Sequence, residues 1–334
     1  QISIDSLPTG AAAGSDQDIC LNTAMNLIAN NPSVGTGSWT FLNGPNVPVI
    51  NSPNSPVASA TGFIQGVYNF AWTISNGSCA ASEDTVQITV FDAPDIAFAG
   101  TYQYLCSVDT VTLDANIPVD GIGAWTLISG PNNPVIIYPD SAHTDVVGTT
   151  SGVYIFRWTI SNGVCSDNFD DVRVVINTLP INISAGTDQN LCSADSAILT
   201  GSTPAVGSGA WVMVYGPNSP VITTPGNETT AITGLVQGVY EFRWTVVDGV
   251  CSGHDEVLVT LNPPPIVSVS THSFTTCEGR REVQLQANGA LTYSWSPTRN
   301  LSNSGIFNPT LFIQDSMMYV VVGTDLNGCS ASDT

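Results

Sequence analysis

The sequence predicts an all-β chain built as a tandem array of four two-sheet sandwiches, each held by one disulfide. Three observations carry this. Cysteines recur in the pairs Cys20/Cys79, Cys106/Cys165 and Cys192/Cys251, 59 residues apart within a pair and 86 between pairs, with a looser fourth pair, Cys277/Cys329. Tryptophans keep the same period of 86, as Trp39, Trp125 and Trp211 and as Trp72, Trp158 and Trp244. Two tripeptides do so as well: Gly66-Val67-Tyr68 returns from Gly152 and Gly238, and Gly44-Pro45-Asn46 from Gly130 and Gly216. A fixed period of this length, read without insertion or deletion across three copies, is the mark of stacked modules.

Within one module, Tyr68, Phe70, Trp72 and Ile74 alternate with smaller or more polar residues, the period of two of a strand with one buried face. Asn76-Gly77 follows and predicts a two-residue type I′ hairpin, repeated as Asn162-Gly163, Asp248-Gly249 and Asn327-Gly328. Thr85 to Val90 reads as the return strand. Upstream, Gly37 to Phe41 reads as an inner strand carrying a core tryptophan. Gly44-Pro45 and Pro53 mark loops, and no segment keeps a helical period beyond two turns. Short strands, turn signals and a Cys…Trp…Cys order predict an immunoglobulin-like sandwich whose two cysteines tie its sheets or their edges.

Proline-bearing junctions at Asp92-Ala93-Pro94, Thr178-Leu179-Pro180 and Asn262 to Pro265 resist both helix and strand continuation. They divide the chain into repeats 11–92, 93–178, 179–263 and a divergent 264–334, which lacks its last strand. Residues 1–10 carry the end strand of a preceding repeat. Gln1 to Ile4 matches Gln87 to Val90, so the chain reads either as a window on a longer array or as a filament subunit that donates this strand to the fourth repeat of a neighbour. The short junctions predict a semi-rigid string.

Composition bounds the function. Six basic residues, all arginine, face 27 acidic ones, a net charge of −21. That argues against nucleic acid and anionic membranes, whose phosphates need clustered Lys or Arg. No stretch is long and apolar enough for a membrane-spanning helix. Regular cysteines without Cys-x-x-Cys pairs predict disulfides in an oxidising, extracellular setting rather than zinc.

Several features together resemble a known family. They are the closing Asn-Gly-Cys before an acidic-Thr strand, the Gly-Val-Tyr-x-Phe-x-Trp-Thr strand, Ala185 to Cys192, and Trp295-Ser296-Pro297. They are similar to the PKD-like and immunoglobulin-like repeats of giant Bacteroidota cell-surface proteins, adhesins or gliding-motility-associated proteins exported by the type 9 system. The resemblance implies a non-catalytic stalk or filament body for adhesion or surface motility. Its partners would be further repeats of the same polypeptide, identical subunits, or a surface or glycan ligand. It also implies O-glycan acceptors at Asp-Ser/Thr followed by a small or apolar residue, here Ser6, Thr85, Thr110, Ser141, Ser196 and Ser316; an Asp-Thr-Val tripeptide equally opens a strand.

Candidate chemistry is sparse. His143, His254 and His272 sit at non-equivalent places with no nucleophile or carboxylate at a motif spacing, so no catalytic residue and no cofactor is expected. One acidic cluster, Asp167, Asp170 and Asp171, is a candidate for calcium, which wants six to eight oxygens; a solvated loop is the alternative. Tyr102, Tyr104 and Tyr138, confined to the second repeat, would form the aromatic platform of a carbohydrate-binding module, or pack at a junction.

Overall fold

The computed structural model describes residues 4–270, 273–275 and 282–334. The chain is all-β, with immunoglobulin/PKD-like sheets in tandem and no helix among the described residues. Two compact units divide it, Gln1–Ile176 and Asn177–Thr334. Each unit contains two separate hydrophobic cores.

The first repeat sets the pattern with β1 (Gln17–Cys20), β2 (Met25–Ile28), β3 (Thr36–Asn43), β4 (Val49–Asn51), β5 (Val57–Thr61), β6 (Gly66–Ser75) and β7 (Ser82–Phe91). One sheet has the order β1-β7-β6-β3 and the facing sheet β2-β5-β4. All pairings are antiparallel except one: β1 runs parallel to β7, with Gln17 opposite Ile88 and Cys20 opposite Phe91. The third repeat reproduces this parallel pair, Gln189 opposite Val259 and Cys192 opposite Asn262.

Alternation on β6 points Tyr68, Phe70, Trp72 and Ile74 inward, and all four are fully buried. Trp39 on β3 stands opposite Trp72, their rings 5.2 Å apart. Trp125/Trp158 and Trp211/Trp244 repeat the pair at 5.1 Å. In the third repeat Gly201 leaves room for the chain to approach, and Trp244 Nε1 donates to Ser202 O at 3.1 Å. Alanines stand at the equivalent positions 29 and 115, and Trp72 Nε1 and Trp158 Nε1 have no hydrogen-bond partner among the described residues.

The two recurring tripeptides lock onto each other. Tyr68 donates its hydroxyl to Asn46 Oδ1 and accepts from Ile64 N at 2.9 Å, while Asn46 Nδ2 donates to Gly62 O at 2.7 Å. A Cβ on Gly44 would lie 2.5 Å from the Tyr68 ring, and one on Gly66 would lie 2.3 Å from Pro45. Each glycine is therefore required by the residue its partner motif carries. The same bonds hold Tyr154 to Asn132 and Thr150, and Tyr240 to Asn218 and Val236. Tyr154→Phe leaves Asn132 Oδ1 and Thr150 N–H without their partner, and is expected to cost about 1–3 kcal/mol by urea unfolding.

Three expectations need correction. The Asn-Gly turns are not type I′, because only the glycine adopts positive φ (Gly77 +55°, Gly163 +58°, Gly249 +56°). In repeats one and two the connection is longer than two residues, with strands ending at Ser75 and Ser161 and resuming at Ser82 and Asn168. Register is also not unbroken: Trp72 faces Asp84 and Trp158 faces Asp170, but Trp244 faces Asp255, so the third repeat is one residue shorter after Cys251. Its hairpin is correspondingly tight, Asp248 pairing with Cys251. Finally, the fourth repeat does begin its return strand, because Ser330–Asp333 pairs with Val320–Thr324. Its core is the smallest of the four, built on Val269, Ala287, Trp295 and Val321.

Candidate functional site: the junction between repeats

Parallel pairing of β1 with β7 decides where the cysteines go. It carries Cys20 to the pole where the chain leaves repeat one, beside Phe91. Cys79 lies before β7 begins, at the opposite pole. Ten residues of β7 separate the two poles by about 30 Å. A disulfide requires its Cα atoms within about 7 Å, so Cys20 and Cys79 cannot join.

Cys20 instead bonds Cys165 of the next repeat, with the Cα atoms 5.0 Å apart. Cys192 bonds Cys329 in the same sense, at 5.3 Å. Cys106 and Cys251 are each disulfide-bonded too. The pairing expected within each repeat is overturned at all four places: Cys20–Cys79, Cys106–Cys165, Cys192–Cys251 and Cys277–Cys329 each lose a member to a bond elsewhere. Cys277 itself lies outside the described residues. In both bonds located here, the opening cysteine of one repeat takes the closing cysteine of the next. A loop of 145 residues closed this way stabilises by about 5 kcal/mol on the chain-entropy estimate.

The residues around the bond form a socket. Asn162, first residue of the hairpin in repeat two, donates Nδ2 to Asp92 O at 3.0 Å. A Cβ on Gly163 would lie 2.4 Å from the Phe91 ring, so that turn needs glycine both for its positive φ and for the aromatic seated on it. Cys165 Sγ lies 3.6 Å from Phe91 O. In repeat three Asn177 takes the place of Phe91 under Gly249, and Asp248 accepts from Thr178 N at 2.8 Å. Asn becoming Asp is thus matched by a carbonyl becoming an N–H.

A second fastening ties the incoming chain to its own repeat. Asp84, Asp170, Asp255 and Asp333 accept from the backbone N–H of Ala13, Ala99, Ala185 and Val269, at 2.7, 2.9, 2.8 and 2.8 Å. This is the one acidic position used alike in all four repeats.

It also bears on the calcium candidate. Asp170 spends an oxygen on Ala99. Asp171 receives both Nε and a terminal nitrogen of Arg157, at 2.7 and 2.9 Å, and those hydrogen bonds hold its carboxyl below the usual range. Successive strand residues point to opposite faces, so Asp170 and Asp171 do not converge. Among the described residues no group of three or more His, Cys, Asp or Glu is placed to share a metal ion.

Of the other candidates, Ser6, Thr85, Thr110, Ser196 and Ser316 are exposed and Ser141 is half-buried, its hydroxyl donating to His143 O. Tyr102, Tyr104 and Tyr138 are exposed on repeat two. His143 lies 3.4 Å from Asp114 at the surface and His254 lies in a strand facing Thr245. His272 and residues 1–3, hence most of the proposed donor strand, lie outside the described residues. Among the described residues no helix is long and apolar enough to cross a membrane.

Comparison with known proteins agrees with the repeat type. A family model for the PKD domain of KIAA0319-like proteins matches residues 13–90 and 185–261. The chain is 24% identical, over 98% of its length, to the Dyslexia-associated protein KIAA0319-like protein of Mus musculus, and spans 35% of it. It is 25% identical, over 63% of its length, to the Dyslexia-associated protein KIAA0319 of Homo sapiens, and spans 21% of it. The chain therefore covers about a third or less of these relatives. Among solved structures, the three immunoglobulin domains I67–I69 of titin (an E-to-A mutated variant) superpose with a TM-score of 0.50 at 12% identity, covering 76% of this chain and 98% of theirs, a likeness of fold alone. PKD-like and immunoglobulin-like repeats are as the sequence led one to expect. These relatives are mammalian, not the bacterial surface proteins the motifs resemble.

Proposed function

We propose that this chain is a non-catalytic stalk segment outside the cell, whose consecutive repeats are covalently clamped so that tension passes through disulfides rather than through the sandwiches. The observation that carries it is the pairing of an opening cysteine with the closing cysteine of the next repeat, in Cys20–Cys165 and again in Cys192–Cys329. Such bonds persist in oxidising compartments. An acidic surface, with 27 carboxylates against six arginines, keeps neighbouring stalks apart. The tandem immunoglobulin/PKD-like architecture fits a spacer that presents a binding element at a distance, and its use in adhesion extends that reading. The bacterial setting, and with it surface motility, is supported by the motif resemblance alone.

Labelling on intact producing cells tests the compartment. A membrane-impermeant maleimide is expected to reach Cys20, Cys165, Cys192 and Cys329 only after a reductant has been applied from outside. Labelling of those four without reductant would place the chain in a reducing compartment and end the proposal.

A further inference from the structure

One closing cysteine stands apart. Cys165, Cys251 and Cys329 are all disulfide-bonded, whereas Cys79, at the same place in repeat one, is a free, half-buried thiol. Its surroundings are nonetheless those of the occupied socket. Cys79 N donates to Asn76 O at 3.2 Å, as Cys165 N does to Asn162 O at 3.1 Å. Asn76 Nδ2 donates to Ser6 O at 2.8 Å, as Asn162 Nδ2 does to Asp92 O at 3.0 Å. Cys79 Sγ lies 3.5 Å from Asp5 O, against 3.6 Å from Cys165 Sγ to Phe91 O. A Cβ on Gly77 would meet the Asp5 carboxylate at 2.1 Å, as one on Gly163 would meet Phe91.

From this match we infer that Cys79 is the receiving half of a disulfide to the opening-strand cysteine of another repeat of this kind, which seats on the pole of repeat one formed by Asp5, Asn76, Gly77 and Ser78. The occupant is fixed by the chain itself, because the equivalent pole of repeat two is taken by the cysteine-bearing end of a repeat. Resting on the clamp reading above, the inference adds the partner, supplied in the test by a second copy of the chain. Bond formation balances as a thiol–disulfide exchange. The Cys79 thiolate attacks the Sγ of an incoming cysteine held as a mixed disulfide with glutathione; the new S–S bond forms as the old one breaks, and glutathione leaves as a thiolate that takes up the proton lost by Cys79.

The experiment incubates the whole chain at high concentration in an oxidised/reduced glutathione buffer, followed by non-reducing gels and mass spectrometry of a non-reduced digest. Covalent multimers joined through Cys79 are expected, and Cys79→Ser should abolish that linkage while leaving Cys20–Cys165 and Cys192–Cys329 intact. If those two bonds are found and Cys79 stays a thiol or carries only glutathione, the inference falls and the clamp stands. If Cys79 is found joined to Cys20, both fall.

Discussion

Pulled from its ends under oxidising conditions, the chain is expected to release only about 90 Å of new contour between Cys20 and Cys329, against about 1,000 Å once reduced. Force reaching Cys20 crosses to Cys165 through one disulfide, and force reaching Cys192 crosses to Cys329 through another. The strands enclosed by those bridges are out of the load path and cannot be drawn out, however far their sandwiches unfold. Only the 27 residues from Cys165 to Cys192 remain free to extend, and an extended residue spans at most about 3.5 Å. Reduction puts all 309 residues from Cys20 to Cys329 back in the path. The measurement also separates the two connectivities. Bonds confined to single repeats would leave every stretch between repeats extensible, 80 residues in all, and release about 280 Å. Single-molecule stretching with and without reductant reads these lengths directly. A release near 280 Å in the oxidised chain would refute the clamp.

That the sequence led to the other connectivity has a physical cause. A period of 86 is kept equally by pairing cysteines within repeats and by pairing each opening cysteine with the next closing one, so spacing alone does not choose. What chooses is the parallel alignment of Gln17–Cys20 with Ile88–Phe91, a long-range pairing that leaves no trace in local alternation. Features set by one strand's own faces were legible: the inward row Tyr68, Phe70, Trp72 and Ile74, and the tryptophan of the preceding strand. Features set by contacts between distant loops were visible only as recurring letters. Gly-Pro-Asn and Gly-Val-Tyr stood out by their repetition, yet their reason is the Tyr68–Asn46 bond and the close approach of Gly44 to that ring. Asn76-Gly77 carries a familiar hairpin pair, but its asparagine serves the socket and its amide is spent on Ser6 O. Asp170 and Asp171 read as one acidic cluster by proximity in sequence, whereas the pleat sends them to a backbone N–H and to Arg157. The missing residue after Cys251 escaped notice because the landmarks that kept the period all precede it.

Gly123→Ala is expected to destabilise the second repeat by about 3 kcal/mol, at the upper end of what overpacking costs. Gly123 faces inward beside Trp125, and a Cβ there would stand 1.9 Å from Trp158 Cζ2 and 2.4 Å from Cη2. Those atoms belong to a fully buried indole already braced by the Trp125 ring at 5.1 Å. The indole has no free direction, so either its rotamer or the inner strand must yield. Gly37 and Gly209 meet Trp72 and Trp244 at 2.0 and 2.1 Å, which makes this close approach a property of the repeat and not of one copy. Gly148→Ala supplies the comparison. It too sits at a glycine of repeat two, with φ +80° and no atom within 4 Å of an added Cβ, so its cost is the backbone strain alone, about 1–2 kcal/mol. Urea unfolding followed by tryptophan fluorescence should rank Gly123→Ala clearly below Gly148→Ala. Because Cys20–Cys165 encloses most of the second repeat, the loss should persist as a fluorescence change in oxidised protein while the covalent length from Cys20 to Cys165 stays fixed. Equal midpoints for the two variants would mean that Trp158 is not seated against the inner strand, and with it the tryptophan pair that centres each of the first three cores.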